Sequence, residues 1–199
     1  MYKKIVKNTS KGFLKKMFGK NHIDSLALTD DGFVVIMEKG EEIPVFFKDV
    51  KAVKSNFYLD KITPHRTVII VTNDQKEFSL DLASDREEID SVLKHYSKYQ
   101  LGGEIPEDIA AVKVILQYGL NDYTIRLENG NIIETKRGQE SSYPLESIEY
   151  YRVDKPSNSI HIKVKEKKMF LTLSAIHVTN VWLVLEILDR LAKKQNWPI

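Results

Sequence analysis

The 199-residue chain contains no cysteine. Disulfide frameworks, thiolate metal sites and thiol nucleophiles are thereby excluded. Long apolar runs are missing as well, and no stretch approaches the ~18 residues of a membrane-spanning helix. The N-terminus is basic, but lysines break every apolar cluster in it. A secretory signal is therefore not expected, and a cytoplasmic location is. The five histidines (His22, His65, His95, His161 and His177) form no HxH or HExxH arrangement, so no zinc spacing is present. Gly102-Gly103 lacks the lysine and hydroxyl residue of a phosphate loop, and no Gly-x-Ser-x-Gly elbow occurs. The acidic pairs Asp30-Asp31, Glu41-Glu42 and Glu87-Glu88 fall in turns or at a helix start, where acids are favoured for local reasons. No enzyme, cofactor or metal is expected.

What is present is an ordinary globular balance, 42% hydrophobic and 29% charged, enough for two small cores of about 100 residues each. The net charge of +2 is unevenly placed. Residues 1–23 hold seven lysines and no acid, so the rest of the chain is net acidic. A nucleic-acid binder with a basic face throughout would not look like this. The aromatic residues, such as Tyr150-Tyr151 and Phe57-Tyr58, alternate within strand-like segments, and basic residues are not consistently interleaved with them, so sheet packing explains them better than base stacking.

The chain repeats itself. "DDGFVVIMEKGEE" from Asp30 matches "ENGNIIETKRGQE" from Glu128. Gly32 falls on Gly130 and Gly40 on Gly138 without a gap, and Phe47 and Val50 then fall on Leu145 and Ile148. Asp31-Gly32 and Asn129-Gly130 are hairpin signals, because such turns need positive φ. Lys39-Gly40 and Arg137-Gly138 predict a second turn in each copy. Upstream, "FGKN" (Phe18 to Asn21) resembles "YGLN" (Tyr118 to Asn121). Downstream, "RTVIIV" (Arg66 to Val71) resembles "SIHIKV" (Ser159 to Val164), and "FSLDL" (Phe78 to Leu82) resembles "FLTLS" (Phe170 to Ser174). Each copy ends in a helical pattern. The first has a capping box at Ser84 to Glu87 followed by Ile89, Val92, Leu93, Tyr96 and Tyr99; the second carries Val181, Val184, Leu185, Leu188 and Leu191. Gly102, Gly103 and Pro106 mark a boundary. The expected organisation is a module over 1–101 with a basic N-terminal arm, a linker over 102–107 and a second module over 108–199. Runs of strands closed by a helix imply an antiparallel α+β design.

The order strand, "DG" or "NG" turn, strand, apolar-acidic segment, further strands and terminal amphipathic helix resembles bacterial pleckstrin-homology-like domains. "SYPLESIEYY" (Ser142 to Tyr151) fits the segment that leads into the next strand in that family, and "IPVFFKDVKAV" (Ile43 to Val53) fits it more loosely. The resemblance implies two tandem PH-like modules, each a small antiparallel β barrel or sheet closed by a C-terminal helix; another small, partly open barrel with a capping helix is the rival. With no catalytic constellation in the sequence, and with the strand edges and groove that a small barrel with a helix offers to a peptide, the expected role is non-enzymatic: protein binding, scaffolding or regulation, by contact with a protein partner or by self-association. Phosphoinositide-binding members use a basic cluster around the first hairpin. Here the tips carry Asp30-Asp31 and Glu128, so no inositol phosphate is expected to bind.

Two sets of candidate contact residues emerge. Phe13, Leu14, Met17 and Phe18 form one stripe of a helical wheel, with Lys15 and Lys16 on the other side. That composition suits an interfacial amphipathic helix over 10–20 and keeps a peripheral membrane adaptor open as the alternative. A comparable apolar segment, Ile109 to Tyr118, precedes the second copy, which equally suits a structural element of the module. In the last helix, Leu183 and Ile187 widen the apolar face well beyond that of the first, so they are candidates for an interface, with a deeper seat in their own module as the other reading.

Overall fold

The alternation of short apolar segments with turn residues yields strands and hairpins. The computed structural model describes residues 2–8, 23–55, 67–81, 86–119, 122–154, 157–165 and 167–197. The chain divides into two units, Met1–Tyr99 and Gln100–Ile199. In the first, β1 (Lys4–Lys7), β2 (Ser25–Leu28), β3 (Gly32–Ile36) and β4 (Glu42–Phe46) form a four-stranded antiparallel sheet in chain order. A single 3-10 turn, Phe47–Asp49, leads to a three-stranded sheet of β5 (Val50–Ser55), β6 (Thr67–Thr72) and β7 (Glu77–Asp81), and α1 (Arg86–Leu101) follows. The second unit repeats the plan. β8 (Val114–Tyr118), β9 (Thr124–Glu128), β10 (Asn131–Lys136) and β11 (Gln139–Pro144) form its first sheet. The 3-10 turn Leu145–Ser147 leads to β12 (Ile148–Asp154), β13 (Ser159–Val164) and β14 (Leu171–Ser174), and then to α2 (Val181–Gln195). The class is α+β. The barrel implied by the resemblance does not form: among the described residues each unit holds two open sheets.

The units agree in fine detail. A β-bulge interrupts the ladder between Val50 and Ala52 in one and between Ile148 and Tyr150 in the other. Phe47 and Leu145, the first residues of the 3-10 turns, are both buried. Yet the gap-free match of the glycines hides a slip. Leu28 pairs with Phe33 across the first hairpin, and Leu127 pairs with Ile132. Phe33 and Ile132 are buried, whereas Val34 and Ile133 are half-buried. Gly32 therefore corresponds to Asn131, not to Gly130. The second turn restores the frame. Met37 and Glu41 close a three-residue loop in unit 1, with Gly40 at φ 79°. Unit 2 makes the same connection with two residues, Arg137 at φ 52° and Gly138 at φ 77°. Further downstream, strand register pairs Val68 with Ile160 and Leu80 with Leu173, one residue away from the match that the sequence suggests in each strand.

Two look-alike glycines thus exist for different reasons. Asn129 (φ 50°) and Gly130 (φ 71°) form a primed two-residue turn. In unit 1 the loop is Asp30-Asp31, neither with positive φ, and Thr29 N donates to Gly32 O at 3.1 Å. A Cβ on Gly32 would strike the Val45 carbonyl oxygen and lie 2.9 Å from Phe46 Cα. Close backbone approach, not left-handedness, requires that glycine.

Both helices bury one stripe. Ile89, Val92, Leu93 and Tyr96 of α1 match Val184, Ile187, Leu188 and Leu191 of α2 in spacing, and all eight are buried. Tyr96 Oη donates to Val50 O at 3.1 Å, tying α1 to the start of β5. In α2 the Asn180 side chain accepts from Leu183 N at 3.2 Å, and left-handed Asn196 ends the helix.

Candidate functional site

The β3–β4 hairpin and the β6–β7 turn leave a gap at one end of unit 1. Register aims Ile43 and Val45 of β4 inward, opposite Val35 and Phe33, and Phe78 comes from β7. These apolar side chains floor a cavity of about 380 Å³, with Pro44, Asp49 and Lys76 at its margin. The β6–β7 turn is braced from within: Thr72 Oγ1 donates to Asp74 at 2.5 Å, and Lys76 sits 2.8 Å from Asp74. The Lys76 ammonium, followed by the Thr72 hydroxyl, holds the Asp74 carboxyl down at about 2. Asn73 Nδ2 donates to Lys48 O at 3.0 Å, which anchors the turn to the segment after β4. The exposed Asp49 carboxylate has no hydrogen bond or ion pair among the described residues.

Unit 2 places polar side chains where unit 1 has the apolar floor. Glu134 occupies the inward position of β10 that Val35 holds in β3, and Tyr143 replaces Val45. Between register-matched positions, Val68 to Leu80 and Ile160 to Leu173, unit 2 carries one extra residue ahead of β14. The loop there brings Lys167 Nζ onto Glu134 and within 3.3 Å of Tyr143 Oη, with the ammonium 5.1 Å from the Tyr143 ring centre. Tyr123 Oη donates to Glu134 at 3.3 Å. Burial, then the Glu134 charge, pushes Tyr123 up to about 12. Burial works to lower the Lys167 ammonium, but its bonds to Glu134 and Tyr143 outweigh that and raise it overall. This is a satisfied polar plug where unit 1 has an apolar floor. A glutamate at an inward strand position signals it in sequence, but only once the register of β10 is known.

The outer edges of the two first sheets differ at the same place. Phe47 N donates to Asp31 O at 2.9 Å, and Leu145 N donates to Gly130 O at 3.0 Å. Alternation from these bonds turns the backbone groups of Glu42, Pro44 and Phe46 outward on β4, and those of Glu140, Ser142 and Pro144 outward on β11. Pro44 removes the central outward donor of β4. Ser142, at the equivalent position of β11, keeps it.

Leu183 and Ile187, singled out in the sequence, belong to α2 of unit 2. Each is 1% exposed in the chain. Their helix stripe continues to Arg190 and Lys194. Arg190 donates to Ile105 O (3.2 Å) and Pro106 O (3.3 Å), and Lys194 lies 3.9 Å from Asp108. The segment before β8, including the 3-10 turn Ile109–Ala111, thus packs along α2 within unit 2. Phe13, Leu14, Lys15, Lys16, Met17 and Phe18 fall outside the described residues, as do His22, His65, Ser84 and Asp85. The acidic hairpin tips carry their own counter-charges: Asp30 is 2.5 Å from Lys3, and Glu128 is 2.7 Å from Lys113. His95 contacts Thr29 O at 2.6 Å, and His161 contacts Thr172 Oγ1 at 3.0 Å. Among the described residues no cluster of three metal-ligating side chains occurs, and no helix is long and apolar enough to cross a membrane. No protein-family model matches this chain, and no curated protein matches it in sequence.

Proposed function

We propose that the chain is a non-enzymatic interaction protein built from two PH-like modules, and that the first module receives a segment of a protein partner. The carrying observation is the apolar floor of Ile43, Val45 and Phe78 beneath the gap of unit 1, where unit 2 has the polar cluster of Glu134, Lys167 and Tyr143. One scaffold finished in two ways fits a division of labour between a receptor module and a structural one. The chemistry of the open gap selects its occupant. An apolar floor beside the unpaired Asp49 carboxylate suits an extended segment with an apolar side chain next to a lysine or arginine, much as Lys167 lies over Tyr143 in unit 2. The strand order of four and three followed by a helix, present twice, supports the PH-like reading, while the function rests on the site and not on the fold.

The test is affinity capture from the source cell with the whole chain as bait, compared with Asp49→Arg. Asp49 is exposed, so the substitution reverses the rim charge without touching the core. The wild type retains a partner and D49R loses it, with an unchanged thermal midpoint. Capture that is identical for both baits, or no capture by the wild type, overturns the reading.

A further inference from the structure

Edge strands with free backbone donors invite pairing, and proteins ordinarily blunt them. In this chain β1 carries Lys4 and Lys7, and β4 carries Pro44. On β11 the one charge over Gln139–Tyr143, Glu140, is paired with Arg126, and no proline or lysine interrupts those residues. Its ladder to β10 runs through six residue pairs without a bulge, and Gln139 to Ser142 are exposed. The N–H and C=O groups of Glu140 and Ser142 face outward with no partner among the described residues.

We propose that β11 is a self-pairing edge, through which two copies of this chain associate by antiparallel β11–β11 pairing centred on Ser141. The occupant follows from the strand itself. In this register Glu140 of each copy exchanges both backbone hydrogen bonds with Ser142 of the other, making four in all. Pro144, which has no N–H to give, lies beyond the paired positions. Across the face, the Glu140 carboxylate meets the Ser142 hydroxyl of the other copy, an acceptor opposite a donor, and Gln139 meets Tyr143. No like charges oppose each other. Arg126, 3.0 Å from Glu140, holds that carboxylate in place. The same register on β4, centred on Ile43, would set Pro44 against Glu42 and lose the proline's donor from each pair, so the first unit is disfavoured for this contact. A polar cavity of about 410 Å³ beside Gln139 and Ser141 leaves room for the side chains of an added strand. The inference rests on the reading of the chain as an interaction protein and names a second partner for it, another copy.

Sedimentation equilibrium of the full chain from about 5 to about 500 µM brackets the affinity that one strand pair supports. The wild type shows a reversible dimer. Ser142→Pro, which copies unit 1 at that position, and Ser142→Glu, which keeps the N–H but opposes Glu140, each weaken it by about tenfold or more. The charge variant decides the matter if the proline variant fails to fold. Because the chain has no cysteine, Ser141→Cys is a clean reporter. Two such residues in a non-hydrogen-bonded pair lie about 4.5 Å apart at Cα, within disulfide range. Oxidised glutathione converts S141C to a covalent dimer, and the S141C/S142E double variant stays monomeric. A wild type that is monomeric throughout, or a dimer indifferent to both Ser142 variants, overturns the proposal. If such a chain still captures a partner in a D49R-sensitive way, the self-pairing fails alone; if it captures nothing, both readings fail.

Discussion

Lys4 Nζ lies 3.1 Å from Glu88, and at the corresponding positions of unit 2 the chain has Val114 and Leu183, both buried. The correspondence follows from register. Lys4 pairs with Leu28 as Val114 pairs with Leu127, and Glu88 precedes buried Ile89 as Leu183 precedes buried Val184. Leu183, which widens the apolar arc of α2, thus stands where unit 1 places the acid of an ion pair. Lys4 also donates to Ser91 Oγ at 3.3 Å.

The pair is about one-third exposed on each side, so its net contribution is about 0.5–1 kcal/mol. Either single substitution, Lys4→Val or Glu88→Leu, leaves a charge beside an apolar neighbour and lowers stability by about 1 kcal/mol. The double variant rebuilds the solution used by unit 2 and is at least as stable as the wild type. Urea denaturation of all four chains checks this; a double variant less stable than either single one would refute the equivalence.

The two glycines separate cleanly in mutagenesis. Gly130→Ala must hold φ 71° with a Cβ 3.5 Å from Ala110, a strain of about 1 kcal/mol. Gly32→Ala meets the Val45 backbone in a paired ladder that cannot yield locally, and the cost exceeds 2 kcal/mol or so. Thermal unfolding ranks them G130A above G32A. The reverse order would mean that the glycines share one role after all.

Stability declines in mild acid through His95. Its ring is 5.1 Å from that of Phe47 and 6.0 Å from that of Phe33, and its Nε2 contacts Thr29 O. Burial lowers its pKa from the ordinary 6.5; the Thr29 carbonyl and Asp30 pull upward, and Lys3 pushes further down. With the folded value depressed, the unfolded chain binds the proton first as pH falls through about 6.5, so stability drops there and levels off below the folded pKa. His95→Gln keeps a donor for Thr29 and removes the titration. The urea midpoint of the wild type minus that of H95Q, followed from about pH 8 to about pH 5, declines on acidification. A flat difference would show that His95 titrates as it does in water.

Much of the architecture is legible in the residues, and the misreadings have physical causes. Asn129-Gly130 and Arg137-Gly138 both form primed turns, as their composition implies. Asp31-Gly32 looks the same and is not. Adjacent apolar pairs, Val34-Val35 and Ile132-Ile133, made two registers one residue apart equally apolar, and a slip of one exchanges the faces of a strand. The burial of Phe33 and Ile132 decides between them. That slip concealed the exchange of Val35 for Glu134, and with it the plugged gap. The membrane stripe over 10–20 lies outside the described residues, and the partly exposed Lys4–Glu88 pair leaves no periodic signal in a sequence.

Among the described residues, every ladder in both units joins strands that are neighbours along the chain. Such meanders settle their pairings early, while long-range closure is left to the last element made. As the chain leaves the ribosome, the sheets of the first unit are complete once Asp81 has emerged, but Val92, Leu93 and Tyr96, which finish its core, have not. Between those two moments the unit displays an uncovered apolar face. A chain interrupted there would be folded in outline and adhesive in behaviour, which makes the stretch from Asp81 to Leu101 the part of the first unit whose prompt synthesis matters most.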